Sequence, residues 1–260
     1  MMKTQIATRY LAPLREGGSL PAVVEADDGE LYVMKFVGAG QGPKVLIAEL
    51  IAGEIARALG LYVPELVLLE LDPGLGRNER DPEIRDLLKA STGLNLGLRY
   101  LPSAFAYNPL LKPPPTPIEA SEIVWFDAYV TNVDRTARNV NMLLWAKELW
   151  LIDHGATLYF HHDWNDYLAR SQTPFPMIRQ HVLLRFASQL RAVDEMLRSR
   201  LTPAILQDIV EEIPAVWLGE ETLFANHTEH RAAYLAYLTQ RLAAAPLFVE
   251  EAVRAHVEHV

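Results

Sequence analysis

Residues 132–155 read NVDRTARNVNMLLWAKELWLIDHG, and this stretch carries the strongest signals for the fold. Two short apolar runs within it, at 140–145 and 148–152, are separated by two residues and predict a β-hairpin. A polar loop precedes the first strand, and a polar turn follows the second. The stretch therefore predicts a hairpin with chemically useful side chains at both of its ends.

The loop before the hairpin offers two candidate side chains. Asp134 and Asn139 are five residues apart, a spacing that lets one loop aim a carboxylate at the proton of a nucleophile and an amide oxygen at Mg²⁺. Ordinary turns use Asp and Asn as well, because these side chains bond readily to nearby backbone groups. The spacing alone leaves both interpretations open.

The turn after the hairpin offers a third candidate. The second apolar run ends in Asp153, which is followed by His154 and Gly155. A carboxylate at a strand end beside a flexible turn is well placed to bind a hard cation through oxygen. A simple turn of the Asp-x-Gly type is the alternative interpretation.

A cation and a possible partner for it occur earlier in the chain. Lys35 interrupts the apolar run at 31–37, and the period-2 alternation places it on the same strand face as Val33. The alternative is an edge-strand lysine that prevents aggregation. The predicted helix at 44–59 contains Glu49, whose neighbours three and four positions later are small. A close approach of this helix would make Glu49 the buried partner of Lys35, and a solvated glutamate is the alternative.

The element pattern divides the chain into two parts. Residues 112–117 read KPPPTP, which excludes a helix interior and marks the boundary. We expect an α+β, bilobal fold, in which residues 1–111 form a small, antiparallel β-rich lobe with one main helix and residues 112–260 form a mostly α-helical lobe. The strands are expected at 7–14, 20–26, 31–37, 64–71 and 94–101, and the later helices at 117–130, 191–198, 203–212 and 229–256.

Composition excludes several classes of function. The 260 residues include no cysteine, which rules out disulfides, thiolate zinc sites and cysteine nucleophiles. A net charge of −9 argues against broad binding to nucleic acid or anionic lipid. No segment has the length and apolarity of a signal peptide or a membrane span, so we expect a cytoplasmic protein without membrane association.

Five signals follow one another in the order lysine strand, glutamate helix, proline boundary, Asp-x₄-Asn loop and strand-ending Asp-x-Gly. The segments VMKF, IAELIAGEIARALGLYVPE, NVDRTARN and LIDHG resemble the HipA-like kinases, a branch of the protein-kinase-like fold that is also similar to type II phosphatidylinositol 4-kinases. The resemblance covers roughly residues 8–165. It implies a bilobal protein-kinase-like fold for this chain.

The resemblance also implies roles for the candidate residues. Lys35 would bind the α- and β-phosphates of ATP, with Glu49 as its ion-pair partner. Asp134 would be the catalytic base, and Asn139 and Asp153 would hold Mg²⁺. Further nucleotide contacts, from a glycine loop and from a hinge at 98–101 with the facing strand, would come from Gly17, Gly18, Ser19, Val33, Tyr100 and Leu101.

The resulting hypothesis is an ATP-dependent phosphotransferase that transfers the γ-phosphoryl group to a hydroxyl, with serine or threonine of a protein as the expected acceptor and a small molecule as another. A nucleotide-binding pseudokinase that acts as a regulator is the alternative, and a structural interaction protein is a third hypothesis. A protein partner is possible, whereas direct contact with nucleic acid is not expected.

Five other polar residues receive an interpretation from the sequence. Arg135 and Arg138 flank the candidate loop and would either steady a transferred phosphate or be ordinary surface arginines. Asp127, on the helix before this loop, is expected to bond loop amides in a structural role. The pair of histidines beginning at His161 is expected to lie in a solvated loop, because adjacent residues rarely ligate one metal ion.

Overall fold

The computed structural model describes residues 2–14, 20–40, 42–76, 79–219 and 223–259. The β-strands are β1 (Thr4–Pro13), β2 (Ala22–Ala26), β3 (Leu31–Lys35), β4 (Leu66–Leu71), β5 (Gly93–Arg99), β6 (Phe105–Ala106), β7 (Met142–Trp145) and β8 (Glu148–Leu151). The α-helices are α1 (Pro43–Ala58), α2 (Pro82–Ala90), α3 (Pro117–Tyr129), α4 (Tyr167–Ser171), α5 (Leu190–Arg200), α6 (Pro203–Glu211), α7 (Ala215–Leu218), α8 (His227–Ala243) and α9 (Ala245–His259). Short 3₁₀ turns connect several of them.

Five strands form a closed barrel in the order β1-β2-β3-β5-β4. The neighbours along this order pair antiparallel, as the sequence predicts. The closing contact between β4 and β1 is parallel, which the expectation of an antiparallel sheet does not include. It arises because β3 and β4 are both antiparallel to β5, and β1 and β3 are both antiparallel to β2, so that β1, β3 and β4 all run in the same direction. The barrel interior holds a separate apolar cluster around Val24, Met34 and Leu69.

Helix α1 lies close to the barrel because its side chains are small where the two elements meet. It begins at Pro43, and its end is followed by Gly60 in the left-handed conformation, with φ of 82°. A Cβ atom on Gly53 would lie only 2.7 Å from the Cδ1 atom of Leu66 on β4. The small residues that the sequence places after Glu49 therefore do permit the close approach.

Helix α2 is an element that the sequence interpretation missed. Asp81 caps this helix with a bond from the N–H of Glu83, and Pro82 occupies its first turn. Only Ile84 and Leu88 are buried, so the apolar signal is short. The cap and the proline were the signals that could have found it.

The hairpin β7–β8 forms as predicted and pairs with β6 on its other side. Its turn residues Ala146 and Lys147 both have positive φ, 51° and 72°, which is the backbone that a two-residue hairpin requires. Helix α3 precedes it, at the predicted place, and is capped at its start, because Thr116 Oγ1 accepts a bond from the N–H of Glu119 at 3.2 Å. The loop of Asp134 and Asn139 thus lies between a capped helix and a hairpin, and Asp153 follows the hairpin.

The helical part packs around α3. Trp125 stacks on Tyr129 and meets Phe248 of α9 edge to face, all three being buried. The predicted single segment at 229–256 is in fact two helices, α8 and α9, which break at Ala244. Its apolar pattern continues through the break because both helices bury one face against the same core.

Candidate active site

Lys35 lies at the centre of a cluster of ions between β3, α1 and the turn after β8. Its Nζ atom is 2.6 Å from Glu49 Oε2 and 2.6 Å from Asp153 Oδ1. Glu49 is fully buried, whereas the Asp153 side chain is 47% exposed. Strand β3 pairs with β2 on one side and with β5 on the other, so it is not an edge strand. An edge-strand lysine that deters aggregation is therefore excluded.

The charges in this cluster stabilise one another against the cost of burial. Burial alone lowers the pKa of the Lys35 ammonium, but Glu49 and Asp153 together raise it above its ordinary value. Burial alone raises the pKa of the Glu49 carboxyl, whereas Lys35 and a hydrogen bond from His154 lower it to about 2. Lys35 and Glu49 are consequently both charged at neutral pH.

The turn after β8 is fixed to α1 by its backbone and by the His154 ring. The His154 N–H donates to Glu49 Oε2 at 2.7 Å, and Nδ1 faces Glu49 Oε1 at 3.3 Å. A carboxylate only accepts, so Nδ1 is the donor. A Cβ atom on Gly155 would lie 2.6 Å from Val45 Cγ1, so only glycine fits here. Asp153, with φ of 57°, is thereby turned towards Lys35.

The loop before the hairpin presents Asp134 between two asparagines. Asn139 Nδ2 donates to Asp134 Oδ2 at 2.6 Å, and Asn141 Nδ2 donates to the same oxygen at 3.1 Å. The N–H of Asp134 bonds to Asn132 Oδ1 at 3.0 Å. Among the residues that the structure describes, none bonds to Asp134 Oδ1. Asn141 was missed by the sequence interpretation, because Asp-x₄-Asn directed attention to Asn139 alone.

A second cluster of ions, which is fully buried, holds this loop in position. Arg135 Nε donates to Asp127 Oδ2 at 2.6 Å, and both side chains have no exposed surface. His181 Nε2 donates to the same carboxylate at 2.8 Å, since its Nδ1 accepts the N–H of Leu183. Burial would raise the pKa of the Asp127 carboxyl, but Arg135 and His181 hold it far below its ordinary range. Asp127 has the structural position that the sequence suggested.

The interpretation of Arg135 as a surface or phosphate-binding arginine was wrong. Its guanidinium also donates to the carbonyl oxygens of Asn141 and Ile152, the latter at 3.3 Å. Ile152 immediately precedes Asp153, so one buried cation joins the loop of Asp134 to the strand that carries Asp153. Arg138, in contrast, is exposed on the same loop.

A cleft of about 500 Å³ opens beside Lys35 and Asp153, a volume typical of small-molecule sites. Val33, Lys35, Tyr100, Leu101 and Asp153, all expected at the nucleotide, line it together. Its other lining residues include Leu14, Pro21, Leu98, Leu143 and Ile152. The predicted phosphate loop of Gly17, Gly18 and Ser19 lies outside the described residues. The N–H of Leu14 donates to the carbonyl of Pro21 at 2.7 Å, so the chain on both sides of that loop meets at the cleft.

The histidine pair is not in a solvated loop as expected. His161 is buried, with Nδ1 at 3.1 Å from the Tyr234 hydroxyl oxygen, while His162 is exposed. Burial lowers the pKa of His161 well below its ordinary value. Within the described parts of the chain, no group of three or more acidic or histidine side chains is arranged to hold a metal ion. The error came from treating two adjacent histidines as having one environment.

The sequence profile of the HipA-like kinases matches residues 7–246. The chain belongs to the HipA-like kinase family. The resemblance that the motifs suggested is thus confirmed over most of its length. A search among curated proteins gave no match.

Two solved structures that are similar to this HipA-like kinase are structures of kinases. The Helicobacter pylori proinflammatory kinase CtkA has a TM-score of 0.56 and 14% identity, covering 98% of this chain and 99% of that one. The Golgi casein kinase with Mn and ADP bound has a TM-score of 0.53 and 12% identity, covering 99% and 76%. At these identities the likeness shows a protein-kinase-like fold. No helix in the described ranges is both long and apolar enough to cross a membrane.

Proposed function

We propose that this HipA-like kinase is an ATP- and Mg²⁺-dependent phosphotransferase. The observation that carries the proposal is the cluster of Lys35, Glu49 and Asp153 at the wall of the cleft. Glu49 fixes the ammonium from the buried side, and the half-exposed Asp153 is the member that a ligand can reach. Phosphoryl transfer depends on such fixed charges around the nucleotide rather than on covalent chemistry by the protein.

The apolar walls of the cleft suit an adenine ring. Val33 and Leu98 are cross-strand partners on β3 and β5, and Leu143 and Ile152 line the cleft from the hairpin. The Leu101 N–H donates to no group in the described part of the chain, which leaves it available to a ring nitrogen. We assign residues 98–101 as the hinge that holds adenine. Residues 1–111 and 112–260 would then be the two lobes that close on the nucleotide.

The oxygen donors fit a hard divalent cation. Asp153 offers a carboxylate, and Asn139 presents its Oδ1 atom away from Asp134, because its Nδ2 atom bonds to that aspartate. Bound Mg²⁺ would neutralise charge on the β- and γ-phosphates. We assign Asn139 and Asp153 as its protein ligands. Lys35, already charged through Glu49, would bind the α- and β-phosphates.

We assign Asp134 as the catalytic base. Its Oδ2 atom is held by two amides, and Oδ1 remains available to accept the proton of an acceptor hydroxyl. As that proton passes to Asp134, the hydroxyl oxygen bonds to the γ-phosphorus. The bond from this phosphorus to the β,γ-bridging oxygen breaks, and ADP leaves with the electron pair. We propose serine or threonine of a protein as the acceptor.

Thermal unfolding with and without Mg·ATP tests the nucleotide site directly. Ligand at 100 times its Kd stabilises the folded state by about 2.7 kcal/mol, so the wild type should show a clear rise in Tm that requires Mg²⁺. Asp153→Ala should remove the rise. Asp86→Ala, which changes an exposed aspartate on α2, should keep it. A wild type that does not respond to Mg·ATP would refute the proposal.

A further inference from the structure

Asn141 lies at the point where the loop of Asp134 meets the turn that carries Asp153. It comes immediately before β7, and its carbonyl oxygen accepts the N–H of Ile152 at 3.1 Å. Ile152 is the residue before Asp153, so Asn141 and Asp153 both lie at the open end of the hairpin. Leu143 and Ile152, its neighbours along and across the hairpin, line the cleft. Asn141 therefore lies at the edge of the proposed nucleotide site.

Asn139 is placed differently, although both asparagines donate to Asp134. Its N–H and its carbonyl oxygen both bond to Thr136, at 3.2 and 2.9 Å, and the residue is exposed. It belongs to the outer turn of the loop, whereas Asn141 is partly buried beside the hairpin. The Asp-x₄-Asn spacing selects Asn139 and gives no role to Asn141, which is seven residues after Asp134.

The side-chain amide of Asn141 has one atom left for a ligand. Asp134 Oδ2 can only accept, so the Nδ2 atom, 3.1 Å away, is the end of the amide that faces it. The Oδ1 atom points away from Asp134, and within the described ranges no group donates to it. Amide and carboxylate oxygens are the side-chain ligands that hard divalent cations bind. Asn141 thus offers a suitable oxygen close to the turn of Asp153.

The backbone of Asn141 is fixed, which gives its side chain a defined position. Its carbonyl oxygen accepts the buried guanidinium of Arg135 as well as the N–H of Ile152. The residue has φ of 48°, a left-handed conformation that asparagine adopts more readily than most other residues. A ligand that is held in place before the cation arrives loses little conformational freedom on binding.

We propose that Asn141 is a further protein ligand of the divalent cation, which it binds through Oδ1 together with Asp153. The proposal rests on the proposed function and deepens it, because it adds a third oxygen donor to Asn139 and Asp153. Asn141 then serves two groups at once. Its Nδ2 atom orients the catalytic base Asp134, and its Oδ1 atom binds the cation.

Binding of Mn²⁺ to the full chain in the presence of ADP tests this proposal without requiring turnover. Mn²⁺ takes the same oxygen ligands as Mg²⁺, and the loss of the free-ion electron paramagnetic resonance signal measures the bound fraction. Asn141→Gly removes the amide, changes no charge and keeps the left-handed backbone, which glycine adopts freely. We expect the Kd for Mn²⁺ to rise by about tenfold or more, since even residues behind the direct ligands contribute that much to metal affinity.

Asn141→Asp distinguishes a metal ligand from a residue that only positions Asp134. A carboxylate can replace the amide oxygen on the cation, but it has no proton to donate to Asp134. The Kd for Mn²⁺ should therefore return to the wild-type value or below it, while turnover of Mg·ATP stays low. If both variants bound Mn²⁺ as tightly as the wild type, Asn141 would only position the base and the proposal would be overturned. A Kd as high in Asn141→Asp as in Asn141→Gly would overturn it as well.

Lys147→Gly is the matched control for Asn141→Gly. It makes the same change at another residue with positive φ, 72°, in the exposed turn at the other end of the hairpin. The Kd for Mn²⁺ should stay at the wild-type value. A comparable rise in this control would trace the effect to the hairpin backbone and reject Asn141 as a ligand.

The Mg·ATP thermal shift of the wild type separates the two proposals. A wild type that shows the shift, with an Asn141→Gly variant that keeps wild-type affinity for Mn²⁺, would reject the ligand alone. A wild type without the shift would reject the proposed function itself.

Discussion

Two clusters of buried ions lie on either side of the turn after β8, and they differ in one respect. In the first, Lys35 is held by Glu49 and Asp153, and the Asp153 side chain is 47% exposed. In the second, Arg135 and Asp127 have no exposed surface. The first cluster is open to the cleft, and the second is closed on all sides.

This difference in exposure separates charged groups that a ligand can reach from charged groups that hold the backbone in place. The open cluster has a half-exposed carboxylate, that of Asp153, at a cleft wall, and under the proposed function its charges would be shared with the nucleotide and the cation. In the closed cluster, Arg135 donates to the carbonyl oxygens of Asn141 and Ile152. These bonds fix the positions of the neighbouring loop and strand. Both clusters pair a cation with a carboxylate. Only the first has an exposed member, Asp153, and this exposure is what makes that cluster accessible to a ligand.

The largest effect is expected at Asp134, which is next to Arg135 in sequence but is not a member of the closed cluster. Asp134→Asn should lower turnover by about 10²- to 10⁴-fold, because a general base contributes that much. Nucleotide binding should persist, since Lys35 and Asp153 are unchanged. ADP formed from Mg·ATP measures the rate, and the Mg·ATP thermal shift measures binding.

Asp86→Asn is the control for Asp134→Asn, as it makes the same change on an exposed face of α2. It should keep both readouts at wild-type values. If Asp134→Asn turned over as fast as the wild type, the assignment of the base would be wrong.

The next effect concerns the closed cluster and is a loss of stability. Arg135→Met should lower the free energy of unfolding by about 3 to 5 kcal/mol, because it leaves the Asp127 carboxylate buried without its cation. Urea denaturation measures it. Arg198→Met, which removes a partly exposed arginine from its ion pair with Asp194, should cost less than about 1 kcal/mol.

A double substitution tests whether Arg135 and Asp127 act as a pair. Adding Asp127→Asn to Arg135→Met removes the stranded charge, so the double variant should be more stable than Arg135→Met alone. Equal or lower stability would show that the two side chains do not act as a pair.

The sequence predicted the open cluster better than the closed one, for a physical reason. Lys35 and Asp153 break apolar runs, and a charge among apolar residues is visible in a single sequence. Arg135 occurs in a polar loop, where a buried and an exposed arginine look alike. Its burial is decided by His181 and Asp127, which the fold brings to it from 46 and 8 positions away.

The fold shows the same division. The hairpin at 140–152 and the capped helix α3 follow from local signals, namely alternation, turn length and an N-cap. The parallel contact between β1 and β4 depends on the path of the chain between them, which no local pattern specifies. Local signals therefore predicted the elements that carry the site, and the contacts that hold those elements together required the structure.

The smallest expected effect is a dependence of stability on pH from the closed cluster. The pKa of Asp127 is lowered from an ordinary value of 3.8, so the unfolded chain takes up a proton at a higher pH than the folded one does. The stabilisation by this carboxylate is therefore complete above that value and is lost as the pH falls below it. For one such group the loss between pH 5 and pH 3 is about 1 kcal/mol.

Comparison with the double variant isolates Asp127 from the other carboxylates, because Asp127→Asn with Arg135→Met lacks this titration alone. The difference in unfolding free energy between wild type and double variant should narrow by about 1 kcal/mol from pH 5 to pH 3. Urea denaturation across that range measures it. The difference in unfolding free energy between Arg198→Met and the wild type should stay nearly constant over this pH range, since Asp127 is intact in both. A difference that does not change with pH would mean that Asp127 does not gain its stabilisation from being charged, and the closed cluster would then be held by hydrogen bonds alone.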